Sequence, residues 1–150
     1  MKNKLRFSLF LMILMLIPTC VFAASIDIGS AKTEDGKTSW PIIYKGDKLA
    51  SNDVFNLDYY GNDNSMVNCA INYSSPLAST GAVGADTEVP SNGLTVGTLT
   101  CQTTSTENQK GSVGIRGTLK TTSNTFDLNM SPKSYTVNAM RKKSSDSKFK

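Results

Sequence analysis

The stretch MVNCAINYSS, Met66 to Ser75, decides how this chain is read. Val67, Cys69, Ile71 and Tyr73 alternate with Asn68, Ala70 and Asn72. A period of two marks a strand with one face in a core and one in water. Cys69 therefore points inward with its apolar neighbours. A second run, GLTVGTLTC from Gly93 to Cys101, closes on another cysteine. Leu99 and Cys101 share one parity there, Leu94 and Val96 the other, so Gly97 marks an expected bulge that resets the register.

Outward from this pair the same alternation recurs. SIDIG sets Ile26 and Ile28 on one face, SWPIIYKGD sets Trp40, Ile42 and Tyr44 together, and VFNLDYYGNDN aligns Phe55, Leu57 and Tyr59 before a turn rich in Gly, Asn and Asp. SVGIRGTLK aligns Val113, Ile115 and Leu119; TFDLNM aligns Phe126, Leu128 and Met130; SYTVNAM aligns Tyr135, Val137 and Ala139. Pro41 marks its strand as an edge strand. KTTSNT reads as a hairpin connection. The Gly-, Ser- and Pro-rich segment Ser74–Gly93 reads as a crossing between sheets, with one short strand near Val83–Val89. No segment shows a helical period. Six or seven short strands at this spacing predict an all-β fold, an antiparallel β-sandwich of immunoglobulin-like or related Greek-key type, with a barrel as second choice.

The N-terminus reads differently. MKNKLR is basic, FSLFLMILMLIP is apolar, and VFA offers small residues at Val21 and Ala23. This is the three-part pattern of a secretory signal peptide, residues 1–23, and its apolar run is short of the ~20 residues of a membrane span. The domain is expected over residues 24–140, with a basic, disordered tail over 141–150. Export places the protein in the periplasm or outside the cell. Residues 24–140 hold eight Lys or Arg against eleven Asp or Glu, while the tail RKKSSDSKFK holds five basic residues and one acid. A mildly acidic body argues against nucleic-acid binding. Arg141, Lys142, Lys143, Lys148 and Lys150 are candidates for weak contact with an anionic membrane surface.

With Cys20 in the leader, Cys69 and Cys101 remain as a pair in the exported chain. An even count in an oxidising compartment predicts a disulfide. Redox pairs are spaced Cys-x-x-Cys at a helix start, whereas these cysteines lie 32 positions apart on expected strands. The bond is read as a staple crosslinking two sheets.

Catalytic groups are scarce. The chain has no histidine, which removes Ser-His and Cys-His pairs and His-based metal sites. Ser145 and Lys148 have dyad spacing but lie in the tail. Asp58, Asn62, Asp63 and Asn64 offer oxygen ligands without a recognisable calcium-loop spacing, so they read as a polar turn. Glu34 with Asp35, and Asp86 with Glu88, read as solvated loop charges. No cofactor and no metal is expected. Trp40, Tyr59 and Tyr60 are the candidate contacts for a partner.

The polar, Thr-rich, single-disulfide pattern is similar in style to exported bacterial subunits of surface fibres and adhesins. Chaperone-assembled subunits carry an alternating N-terminal strand and end in a strand with a near-terminal aromatic. SIDIG is short for the first, and Phe149 has no alternating run before it. The reading is a non-enzymatic binding or surface-assembly module of a bacterial envelope, with a protein or glycan partner. A periplasmic inhibitor or immunity protein that blocks a hydrolase is the alternative, and a hydrolase using carboxylates alone comes third.

Overall fold

The computed structural model describes residues 23–141. The leader up to residue 22 and the tail from residue 142 lie outside the described residues. Eight strands follow one another: β1 (Ser25–Ile28), β2 (Lys32–Glu34), β3 (Lys37–Lys45), β4 (Val54–Tyr60), β5 (Asn68–Tyr73), β6 (Leu94–Gln102), β7 (Gln109–Lys120) and β8 (Thr125–Val137). They form two antiparallel sheets. One runs β1-β3-β6-β5, with β2 also on β3, and the other runs β4-β7-β8. If β1 and β2 count as one interrupted strand, this is the strand order of the constant-type immunoglobulin sandwich. Among the described residues no closed barrel forms.

The alternating residues fill the space between the sheets. Ile26, Trp40, Ile42, Tyr44, Leu99 and Cys101 come from the five-stranded sheet, and all are buried. Phe55, Leu57, Val113, Ile115, Leu119, Leu128, Met130, Tyr135 and Val137 face them from the other. Burying a large apolar side chain contributes roughly 1.5–3 kcal/mol, so this interface supplies most of the drive to fold. Edge-to-face aromatic pairs tie it across: Tyr44 on Phe55 at 5.3 Å and Trp40 on Tyr135 at 6.3 Å between ring centroids. Every buried side-chain polar atom among the described residues has a hydrogen-bond partner. Thr38, for example, donates to the carbonyl of Thr136 on β8.

The bulge lies where the change of parity in β6 puts it. Ile42 pairs with Gly97 and Ile43 with Thr95, which leaves Val96 as the extra residue. Gly97 is needed because β5 passes close by: a Cβ there would sit 2.5 Å from the Asn72 carbonyl oxygen. Thr121 and Asn124 close the hairpin between β7 and β8 through the Thr121 N–H and the Asn124 carbonyl.

Four expectations change. Pro41 lies on an interior strand, with β6 on one side and β1 and β2 on the other. It is tolerated because it faces the break between β1 and β2. Its carbonyl accepts from the Gly29 N–H, and no N–H is required of it in return. Segment 74–93 does not cross between sheets, because β5 and β6 are neighbours in one sheet. It makes a long excursion instead, covering part of the outer edge of β4 on its way. The Phe55 N–H donates to the Gly81 carbonyl, and the Val83 N–H donates to the Asp53 carbonyl. Val83–Val89 forms no strand there; the residues make isolated bridges such as Leu49 with Thr87 and Leu77 with Val83. Finally, the disulfide joins adjacent strands rather than two sheets. Cys69 and Cys101 are register partners on β5 and β6, with Cα atoms 4.1 Å apart.

The Cys69–Cys101 bond closes a loop of 33 residues, counting both cysteines across their separation of 32. The chain-entropy model assigns such a loop about 3–4 kcal/mol. We expect the Cys69→Ala/Cys101→Ala double variant to melt on the order of 10 °C below the native protein. Equal melting curves for the oxidised protein and the double variant would refute the staple.

Burial, reinforced by the charges of Asp47 and Asp53, pushes the Tyr44 hydroxyl up to about 12. The unfolded chain releases this proton near pH 10. The folded state therefore holds it more tightly, and that share of stability is intact below pH ~10 and lost as pH rises toward 12. We expect the melting temperature of the native protein to fall faster than that of Tyr44→Phe over this window. A constant gap between the two curves would contradict the assignment.

Candidate functional site

Outward-facing residues of the three-stranded sheet converge because antiparallel register sets them side by side. Asn56 on β4 pairs with Thr118 on β7, which pairs with Asp127 on β8. In the next row Asp58 pairs with Arg116, which pairs with Asn129. Tyr60 lies opposite Gly114 and reaches across β7, where no side chain blocks it. Its hydroxyl donates to Asn129 Oδ1 at 3.0 Å, with the Met130 carbonyl at 3.3 Å. The Arg116 guanidinium sits 5.3 Å from the centroid of the Tyr60 ring, a cation–π geometry that holds the long side chain over the sheet. A shallow depression of about 440 Å³ runs along these rows.

This surface is rigid at its base and polar at its rim. It offers carboxylate and amide acceptors, guanidinium and amide donors, and an aromatic ring, all on strands whose inner faces are locked in the core. Such a set recognises polar groups by hydrogen bonding. Among these residues sequence reading singles out Tyr60 as a partner contact and Asp58 only as an oxygen of the polar turn. Asp58, Arg116 and Asn129 are far apart along the chain. The one signal that points to them is their outward parity beside core residues, which any solvated strand residue shares.

The other candidate residues fall in several places. Trp40 is only 8% exposed and packs on Tyr135, so it belongs to the core and not to a contact surface. Tyr59 is 36% exposed at the end of β4. Cys69 and Cys101 are bonded and buried. Arg141 lies 3.7 Å from Asp35. Lys142, Lys143, Lys148 and Lys150 lie outside the described residues, as does the Ser145–Lys148 spacing.

The polar turn after β4 is a clamp. Asn62 Oδ1 accepts from the Tyr135 hydroxyl at 2.7 Å, and Asn62 Nδ2 donates to the Val67 carbonyl. Asp63 Oδ1 accepts from the Ser112 N–H, and Asn64 Oδ1 from the Met66 N–H. Its oxygens thus fix the loop against β7 and β8. Among the described residues no group of three or more carboxylate or thiol side chains is placed to hold a metal ion. The paired carboxylates are engaged as well, and Glu34 lies on β2 rather than in a loop. Glu34 meets Lys37 at 3.0 Å and Lys32 at 3.4 Å, and the hydrogen bond to Lys37 holds its carboxyl below the usual range. Asp86 Oδ1 accepts from the Ser51 N–H.

Sequence reading did not single out a second depression, about 360 Å³, at one end of the sandwich. Met66 and Met140 line it with Glu34, Lys37 and Gln102, and the two methionines are about half exposed.

No protein-family model, no curated protein and no solved structure matches this chain.

Proposed function

We propose that this protein is an exported, non-enzymatic binding module of a bacterial envelope, and that it presents the outer face of the three-stranded sheet to a protein or glycan partner. The constellation of Asp58, Arg116 and Asn129 around Tyr60 carries this reading. Recognition of polar ligands requires donors and acceptors fixed before binding, because ordering them during binding costs affinity. Sheet register and the Tyr60 hydrogen bond fix them here. The three-part N-terminus supports export. A buried disulfide fits an oxidising compartment. The bonded cysteines and the absence of histidine from the sequence support a non-catalytic role.

The test is a search for partners with the full exported chain on glycan arrays, whole cells and envelope extract. We expect a retained partner whose affinity falls at least tenfold in Arg116→Ala and Asn129→Ala. Both variants should melt within about 1 kcal/mol of the native protein, as exposed positions ordinarily do. Binding that survives both substitutions would move the site elsewhere. Failure to retain any partner, or turnover of a substrate by the purified chain, would reject the reading.

A further inference from the structure

A sheet edge presents unpaired N–H and C=O groups, and proteins block such edges with charge, proline, bulges or covering segments. Three of the four edges here are blocked. The β1/β2 edge is short and broken, and it carries Asp27, Lys32 and Glu34, with Asp27 ion-paired to Lys133 of β8. The β4 edge is covered: the Phe55 N–H bonds to Gly81, and the Leu57 N–H to the Tyr73 hydroxyl at 2.8 Å. The β8 edge carries Asp127 in its first half, then a bulge at Ser131 and Pro132 opposite Gly114, then Lys133.

β5 has none of these defences. The chain carries no charged residue from Asn64 to Ala85. β5 contains no proline and keeps continuous register with β6 from Asn68 to Tyr73. Apart from that ladder, no hydrogen bond among the described residues reaches the backbone of β5. Asn68, Ala70 and Asn72 are exposed on its outer side, and Ile71 and Tyr73 are only half-buried on its inner side. The strand is also pinned, because Cys69 is bonded to Cys101 on β6. An open edge held this firmly is a template for another strand.

We infer that β5 is a self-pairing edge, and that its occupant is the β5 of a second copy of this chain, antiparallel about a two-fold axis through Ala70. The strand is self-complementary about that point. Asn68 lies opposite the partner's Asn72, Ala70 opposite the partner's Ala70, and Cys69 opposite the partner's Ile71. No pair sets like charges together, and the small Ala70 leaves room at the axis. A two-fold contact closes on itself, so the product is a dimer with one continuous sheet and not a fibre. Six residues of edge bury less than the ~1,600 Å² of a standard interface, so the dimer is weak, with micromolar or poorer affinity. The inference supplies the assembly contact of the binding module proposed above, but it uses a different sheet and stands separately from the ligand face.

Sedimentation of the full exported chain over a concentration series tests it. We expect a reversible dimer, monomeric Ala70→Lys and Ala70→Glu variants with at least tenfold weaker self-association, and recovery of a heterodimer when those two are mixed. Asn72→Lys should weaken the dimer in the same way, while Thr118→Lys on the other sheet should not. Hydrogen exchange should show added protection within β5 on association. A native chain that stays monomeric up to about 1 mM, a dimer that ignores both β5 lysines, or β5 protection gained only from a different extended peptide would overturn the inference. Retention of ligand by Ala70→Lys, and of the dimer by Arg116→Ala, separates failure here from failure of the ligand-face reading.

Discussion

The outermost strand of the five-stranded sheet has a single neighbour, and a covalent bond holds it there. An edge strand makes half the backbone hydrogen bonds of a central one, so it is the first part of a sheet to fray. Cys69 and Cys101 remove that freedom at the start of β5. With β5 fixed, Ile71 and Tyr73 stay against the core, and the Tyr73 hydroxyl stays on the Leu57 N–H of the opposite sheet. The excursion from Ser74 to Gly93 starts from a defined point and can lie over β4. Immunoglobulin domains of the antibody type place their bond between the two sheets, packed against a tryptophan. Here the bond lies within a sheet, and Trp40 packs on Tyr135 instead. The strand order is shared, but the means of stabilising it is not.

The sandwich was legible because its signal is local. Alternation of apolar and polar residues names the inner face wherever a strand is half-buried, and Phe55, Leu57, Ile115 and Leu119 all lie where their parity puts them. The bulge was legible for the same reason, since Leu94 and Leu99 can both face inward only if one residue is added between them. Other features depend on pairing, which leaves no local trace. β2 has three exposed residues and no apolar member, so it shows no period at all. Pro41 gives the right local message, a missing N–H on one side, but cannot say that the gap lies between two short strands on the same flank. Segment 74–93 looks like a crossover by length and composition, yet it returns to its own sheet.

The candidate face was nearly invisible for a related reason. Asp58, Arg116 and Asn129 become neighbours through register across three strands. Each taken alone is an ordinary solvated residue, and neither composition nor spacing marks the three as parts of one face. Tyr60 stood out as an aromatic beside polar residues, but its role as a brace for Asn129 and Arg116 follows from Gly114 opposite it. The Asn- and Asp-rich stretch is a turn, as its composition implies. Its oxygens bind the loop to Tyr135 and Ser112, which anchors the end of β8 that carries the Trp40 contact.

A crosslink between neighbouring strands has a mechanical side. When a chain is pulled by its two ends, the 32 peptide steps between Cys69 and Cys101 are bypassed by the sulfur bridge. At roughly 3.3–3.6 Å per residue, about 110 Å of contour is withheld from extension. Among the described residues no disulfide joins the two sheets, so they can part under tension while β5 and β6 travel together as a closed ring. The stretch of the whole chain thus has a limit set by the position of two sulfur atoms.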